Sequence, residues 1–550
     1  MIEFISILTV VFVVAAIVVL LAARLPVSAI PLYLLTGVLV GAFIDESQIL
    51  ELAQWGIAFL VFLFGVRIDA ETLETTGRVG TLTALAQAVL VGGITFILAV
   101  VLDLSALNAG YLAVAAALSS SLVGVSYLER AVEFRTTSDR LGESIHFVED
   151  VLGVVVLLAL AAFVYLPESD EAVVIGTGIE TLLVGTVALF ATALAIRRWV
   201  FSRLIAQFEG DSEVLMLVGI TFVVLGIGVS EAIGVSIAVG AFAAGLAVAD
   251  EYPYSLELVD TVDDLTDFFV PIFFVTVGAL VSLPDATTVT YTVLLLVVVL
   301  VVNPLLTAGI LRWHGFSERT AVLTGLRLDQ LSEFSLVIAI QAAILGTIAP
   351  SVFEAIVLAA LVTMLVSSYT THHDEAIYRR LAAIVPGDPT VGGARVETSA
   401  VLEDHVVIIG FETVGRVLFE HCLERGHDCL VVVDNPVHAE AVADAGGEYV
   451  VGDVVDPNTR EHASLESAAL IASTLPQRDL NESVAAVETD APVAVVAIPS
   501  EHAEAFYDAG ADYVAVPDLE AADRLEGYVE RALEGKIEHL RDAVESERIE

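Results

Sequence analysis

The sequence predicts a polytopic α-helical membrane bundle in residues 1–373, with broken helices and inverted repeats, followed by a smaller α/β Rossmann-like domain. Three observations predict it. Of the 550 residues, 57% are hydrophobic and the mean hydropathy is +0.83, where soluble domains average about 45–50% apolar. Apolar runs close to bilayer thickness recur as far as residue 373. Beyond residue 403 the pattern changes to short β-branched runs separated by glycine turns.

Charge narrows the classes of function. Lys+Arg number 24 against 71 Asp+Glu, a net charge of −47, and Lys536 is the only lysine. Nucleic acid is excluded as a partner, because phosphate binding needs a basic face. The acid excess runs through both halves of the chain, which reads as a halophile's composition, tolerable where salt screens self-repulsion. Cys422 and Cys429 have neither a disulfide framework nor metal-ligand spacing and read as reduced thiols.

Phe4 to Ala23 is long enough to cross a bilayer; with no basic residue before it and no cleavage site after it, it reads as a first span rather than a signal peptide. Further apolar runs at 29–43, 53–66, 81–102, 109–128, 143–166, 175–196, 214–230, 233–249, 268–283, 287–311, 321–346 and 353–371 make about thirteen spans. Arginine orients them. Arg24, Arg67, Arg78, Arg130, Arg135, Arg140, Arg197, Arg198, Arg203, Arg312 and Arg319 all follow odd-numbered spans. The positive-inside rule then puts the N-terminus outside and residues from 373 onward in the cytoplasm, in a cell membrane.

Ionisable residues at bilayer depth are costly and point to an ion path. In span six, Glu149-Asp150 precedes an apolar run to Leu166, so Asp150 lies about 24 Å from that end at 1.5 Å per residue. An inert hydrogen-bonded acid pair is the alternative reading. Span twelve carries Arg327, Asp329 and Glu333; Arg327 and Glu333 are nearly two turns apart and either flank an unwound stretch or form an internal ion pair. Span five has Ser119-Ser120-Ser121, whose hydroxyls can satisfy backbone groups freed by a helix break. Spans five and twelve run in opposite directions, the arrangement of inverted-repeat transporters with a site at the midplane.

Six motifs in register resemble Kef-type monovalent cation:proton antiporters over essentially all of residues 1–373. They are Leu60-Val-Phe-Leu-Phe-Gly65, Ser119-Ser-Ser, Glu149-Asp150, Gly240-Ala-Phe-Ala-Ala-Gly245, Pro271-Ile-Phe-Phe-Val-Thr-Val-Gly278 and Ser332-Glu333-Phe334. The resemblance implies that Asp150 binds a cation or a proton, with Glu149 beside it. It further implies that Ser119, Ser120, Ser121, Asn303, Arg327 and Glu333 support the site, and that the protein is a homodimer. Two positions depart from the pattern. Asn303, before Pro304, stands where many members have a basic residue, and Arg67 stands where members often show an acid.

Residues 374–402, with Pro386-Gly-Asp-Pro389 and Gly392-Gly393, read as a linker. In 403–517, strand Val406–Ile409, Gly410-Phe-Glu412-Thr-Val-Gly415, a helix, strand Leu430–Val433 and Asp434 follow the order of a dinucleotide-binding unit. Strands at 449–453, 470–475 and 493–498 complete a domain that resembles TrkA-N, or RCK-type, regulatory domains. Glu412 occupies the position where close approach of pyrophosphate calls for glycine. The ligand choice is therefore a nucleotide (NAD, ATP or ADP) at Gly410, Gly415 and Asp434, a divalent cation among Glu412, Asp434 and Asp453, or none. Residues 518–550 space Leu519, Leu525, Val529, Leu533 and Ile537 as an amphipathic helix that docks on the domain or on a second subunit.

The function these readings support is exchange of a monovalent cation for protons, K+ favoured over Na+, regulated by the α/β domain. An RCK-gated channel is the competing class, but no TVGYG-like filter is present. Another inverted-repeat carrier is a further alternative. An enzyme is not expected, because no substrate domain or catalytic constellation accompanies the α/β unit.

Overall fold

The computed structural model describes residues 2–22, 27–41, 46–67, 78–120, 136–163, 172–201, 203, 212–233, 236–248, 268–382, 390–393, 403–498 and 500–533. Ser121, Arg24, Arg130, Arg135, the side chain of Arg67 and residues 534–550 of the expected C-terminal helix lie outside the described residues. The chain folds as two compact units. One comprises Met1–Tyr127, Asp139–Thr307 and Thr324–Glu375; the other comprises Leu128–Ser138, Ala308–Leu323 and Ala376–Glu550.

The first unit is helical. In chain order it contains α1 (Ile2–Ala22), α2 (Ala29–Val40), α3 (Glu46–Arg67), α4 (Arg78–Val101), α5 (Ala106–Ala117), α6 (Thr137–Phe163), α7 (Ala172–Ile196), α8 (Ser212–Ala232) and α9 (Ile237–Ala247). Then come α10 (Phe268–Ala279), α11 (Ala286–Trp313), α12 (Glu318–Leu326), α13 (Glu333–Ile344) and α14 (Pro350–His372), of which α11 beyond Thr307 and α12 before Thr324 belong to the second unit. Among the described residues, four helical stretches are long and apolar enough to cross a membrane: Arg78–Val101, Val184–Phe201, Ala286–Trp313 and Pro350–His372.

Helix α4 shows what solvent this unit is built for. Its buried stripe is Gly80, Thr83, Ala84, Gln87, Val91, Thr95 and Ala99, one face at helical spacing, while Leu85, Val89, Ile97 and Val101 face out. Small and polar residues inside with large apolar residues outside is the membrane pattern, in which close packing rather than hydrophobicity joins helices. Glycine makes the closest of these contacts. A Cβ on Gly65 of α3 would lie 2.5 Å from the Phe242 carbonyl oxygen, and one on Gly245 of α9 only 2.1 Å from that of Phe62. The glycines ending two of the sequence motifs are therefore the two sides of one helix contact.

The helical regularity is broken at several points, among them a π-helical turn at Arg197–Phe201. Val298–Val302 in α11 forms a π-helical turn immediately before Asn303-Pro304, where proline supplies no N–H. Span twelve is interrupted between α12 and α13, and residues 327–332 are non-helical.

The second unit is built on one seven-stranded sheet. Its strands are β1 (Thr390–Gly393), β2 (Val406–Ile409), β3 (Cys429–Val433), β4 (Glu448–Val451), β5 (Leu470–Ser473), β6 (Val493–Val496) and β7 (Tyr513–Ala515). Their order is β1-β4-β3-β2-β5-β6-β7. All neighbours pair in parallel except β1 with β4. The parallel part is the doubly-wound order, with its switch point between β2 and β5. Both faces of the sheet are covered: Val407, Ile409, Val432 and Ile471 pack into one core, and Ile408, Val431, Phe411 and Phe419 into the other. That two-sided burial is why these strands read as unbroken apolar runs.

Residues 374–402 are more than a linker. Asp374–Ala382 forms helix α15, and β1 adds to the sheet edge with Val391 opposite Val450. A four-residue strand ending in two glycines carries no hydrophobic signal, so its pairing is supplied by β4. The C-terminal helix begins at Pro517 and is described to Leu533. Its stripe, Leu519, Leu525, Val529 and Leu533, is exposed, so docking of these residues on their own domain is not observed.

Candidate functional site

In the helical unit the end of α5 meets the interruption of span twelve. Helix α5 ends at Leu118, whose backbone is extended, and Leu118–Ser120 runs against the non-helical stretch before α13. The Ser332 N–H donates to the Leu118 carbonyl (3.1 Å), Gln330 Nε2 to the Ser120 carbonyl (2.9 Å), and Ser335 Oγ to the Ala115 carbonyl (3.0 Å). Each segment thus satisfies backbone groups that the other frees, which non-helical chain needs at membrane depth. Ser332 caps α13 by accepting from the Phe334 N–H. Fully buried Glu333, in the first turn of α13, accepts from Ser120 Oγ (2.6 Å) and places negative charge at the positive end of the helix.

Glu149 and Asp150 on α6 face this crossing differently. Successive helical residues point about 100° apart. Glu149 is 1% exposed. Its Oε2 accepts from the Ser119 N–H (2.9 Å) and from Ser119 Oγ, and its Oε1 from Gln87 Nε2 (2.8 Å). His146 Nδ1 lies 3.1 Å from Ser119 Oγ and 4.0 Å from Glu149. Asp150 is only half-buried. One turn beyond Glu149, Gly153 packs on Phe334.

The other expected site residues divide. Asn303 Nδ2 donates to the Leu328 carbonyl (2.7 Å), so it braces the unwound stretch. Arg327 and Glu333 do flank that stretch, but Arg327 pairs with Asp139 (2.7 Å) and Asp374 (3.5 Å). Its role in the structure is an ion-pair hub. Asp329 accepts from Thr370 Oγ1 (2.7 Å) on α14. Gln87 is the residue that sequence reasoning missed; its signal was the polar stripe Thr83, Gln87 and Thr95 along an otherwise apolar span.

Comparison with known proteins decides the family. Residues 10–373 match the sodium/hydrogen exchanger transmembrane family, and residues 406–517 match the TrkA-N domain. The chain belongs to the sodium/hydrogen exchanger family. Among its relatives is the glutathione-regulated potassium-efflux system protein KefC of Salmonella schwarzengrund, 24% identical over 85% of this chain and 75% of the relative. Another is the Na(+)/H(+)-K(+) antiporter GerN of Bacillus cereus, 26% identical over 61% and 86%. The solved sodium proton antiporter MjNhaP1 of Methanocaldococcus jannaschii superposes with a TM-score of 0.51 at 18% identity, covering 69% of this chain and 98% of that one. That likeness establishes the fold of the helical unit.

The exchanger's α/β unit holds the second expected site. Gly410 has φ +93°, a conformation open to glycine, and a Cβ on Gly415 would lie 2.2 Å from the Gly410 carbonyl oxygen. These two glycines fit a phosphate-type turn. Glu412 is half-buried with φ −76° as the residue before helix Thr413–Arg425, so the turn itself does not require glycine there.

The rest of the cleft does not fit a nucleotide as folded. Asp434, at the ribose position, accepts from Thr320 Oγ1 (3.3 Å) and Thr137 Oγ1 (3.2 Å), and its carbonyl accepts from the Ser317 N–H. Arg319 Nε lies 3.7 Å from Asp453. All of these residues belong to the same unit. The cavity left among Arg319, Thr320, Asp434, Asp453 and Gln477 is about 20 Å³, room for little more than one water. Its rim is acidic. Burial, opposed by Arg312 and helped by Asp456 and Asp453, holds the Glu318 carboxyl above its ordinary range.

The carboxylates named for a divalent cation do not gather into a ligand group. Among the described residues no group of three or more His, Cys, Asp or Glu side chains could hold a metal ion. Asp453 instead faces a guanidinium and Asp434 faces hydroxyls, so the carboxylates have protein partners in place of a cation.

Proposed function

We propose that the chain exchanges a monovalent cation, K+ in preference to Na+, for protons across the cell membrane. Asp150 is the group that the two ions occupy in turn, and Glu149 is its acidic neighbour. One observation supports the reading: Glu149, with Asp150 next to it on α6, is hydrogen-bonded to Ser119 where the end of α5 meets the non-helical stretch of span twelve, in a member of the exchanger family. A carboxylate there is costly unless water and ions reach it, and antiport requires one site that either ion can fill but not both. The names of the relatives, which include potassium-efflux proteins, support K+. The arginine distribution supports an external N-terminus and a cytoplasmic TrkA-N domain, which regulates rather than transports. The protein acts as a transporter, not an enzyme, and as a homodimer.

The test is proton flux in everted vesicles with KCl compared against NaCl. Wild-type vesicles should respond more strongly to KCl. Asp150→Asn should abolish the cation-dependent flux at normal membrane insertion, because Asn neither titrates nor offsets cation charge. Flux near wild-type levels in that variant removes Asp150 from the role.

A further inference from the structure

A hydrogen-bonded chain runs behind the acid pair and joins three helices. Thr307 on α11 donates through Oγ1 to Gln87 Oε1 (2.8 Å). Gln87 on α4 donates through Nε2 to Glu149 Oε1 on α6 (2.8 Å). Thr307, Gln87 and Glu149 are each at most 1% exposed. The chain has one direction. A carboxylate only accepts, so the carboxamide must turn its NH2 to Glu149, which leaves its oxygen for the threonine hydroxyl.

We infer that Gln87 is a positioning residue for exchange: oriented by Thr307, its carboxamide clamps the Glu149 carboxylate and leaves Asp150 as the carboxylate that meets the exchanging ions. The inference rests on the site reading proposed above and divides the labour within it. A carboxylate has about four acceptor positions. Three at Glu149 are filled, by Gln87 Nε2, the Ser119 N–H and Ser119 Oγ. Little of Glu149 is left to replace the water around a cation. Asp150 is half-buried and points about 100° away around the helix.

The clamp also accounts for the neutral residue on α11. Thr307 is one turn from Asn303, so the two share a helix face. Asn303 is spent on the Leu328 carbonyl, while Thr307 reaches Glu149 through Gln87. Span eleven therefore engages the acid pair through a relay of neutral groups.

The experiment is exchange kinetics in proteoliposomes loaded with a pH-sensitive dye, with K+ as the probe cation, across pH 6–9. Gln87→Ala and Thr307→Val should each raise the apparent KM for K+ by roughly three- to tenfold or more, the lower figure being the size of one ordinary hydrogen bond, and should displace the pH profile. Thr307→Ser, which keeps the donor, should retain the wild-type KM. Two outcomes overturn the clamp: wild-type KM and pH profile in Thr307→Val, or equal impairment in Thr307→Ser and Thr307→Val, which makes the site one of packing only. Thr307→Val is nearly isosteric, so the test stands even if Gln87→Ala fails to insert. Asp150→Asn run alongside separates the two claims. Lost exchange in that variant beside normal Gln87→Ala and Thr307→Val overturns the clamp alone, while retained exchange overturns the site reading and the clamp with it.

Discussion

Gly153→Ala isolates the packing that holds the acid pair against the crossing. Gly153 lies one turn beyond Glu149 on α6, and a Cβ there would stand 2.8 Å from Phe334 Cγ, 2.9 Å from its Cβ and 3.2 Å from Cδ1. Carbon atoms rest at about 3.5–4.0 Å, so the methyl group begins about 0.7 Å too close. Phe334 has little room to yield. It is fully buried, its ring lies 4.1 Å from that of Phe64, and its N–H is held by the Ser332 cap. The helices must part instead, at a cost of about 1–3 kcal/mol for overpacking, against a gain of about 0.5–1 kcal/mol from Ala in a helix. A matched control exists in the same unit: a Cβ on Gly93 of α4 meets nothing within 4 Å. Gly93→Ala should leave the melting temperature unchanged or raised. Gly153→Ala should lower it by a few degrees, given roughly 2–4 °C per kcal/mol for chains of 150–250 residues, and should slow exchange several-fold. Thermal denaturation in detergent and proteoliposome flux read both effects. Equal melting temperatures and rates for the two variants would refute the argument that Phe334 is pinned.

Three other outcomes follow from the structure. Arg327→Gln takes the guanidinium from Asp139 and Asp374 and should cost about 1.5–3 kcal/mol, the size of a hydrogen bond to a charged group; a melting temperature within a degree of wild type contradicts the hub. His405, buried with Nε2 3.0 Å from the Ala463 carbonyl, has its pKa lowered from 6.5, chiefly by burial. Its stabilising contribution is thus complete above the unfolded value and is lost as pH falls from about 6.5 through the folded value, so His405→Gln should flatten the acid side of the α/β unit's stability profile, read by calorimetry on the full chain. Glu412→Gly should increase affinity for NAD or ATP, measured by calorimetry in high KCl, and adding Thr320→Val should increase it further by releasing Asp434; weaker binding in the double variant than in Glu412→Gly alone removes Thr320 as a competitor.

How much of this was legible in the sequence depends on whether the feature leaves a local mark. Bilayer thickness and two-sided burial act on every residue of a run, so the apolar stretches and the strands at Val406, Leu430, Leu470 and Val493 could be read directly. Charge at bilayer depth marks itself too, and so Glu149, Asp150, Arg327 and Glu333 stood out. Pairing leaves no such mark. Ser120 and Glu333 each read as a weak point in a helix, but they are 213 residues apart, and only the fold makes one the partner of the other. Arg327 illustrates the same limit: its position beside an unwound stretch was legible, its partners Asp139 and Asp374 were not.

Gln87 is the sharper case, because its chemistry is neutral and its cost in an apolar span is modest. A buried amide betrays itself through its neighbours rather than its charge. It must be hydrogen-bonded at both ends or its span loses stability, so a glutamine on the same stripe as Thr83 and Thr95 calls for a donor on one side and an acceptor on the other. Glu149 was the available acceptor from the start, since a carboxylate on a facing span needs N–H groups. Thr307, a turn past a residue that departs from the family pattern, was an available donor. What the sequence lacked was the geometry that brings three spans to one point, and that geometry is set by contacts such as Gly153 on Phe334 and Gly65 on Gly245, where the informative residue is the one with no side chain to read.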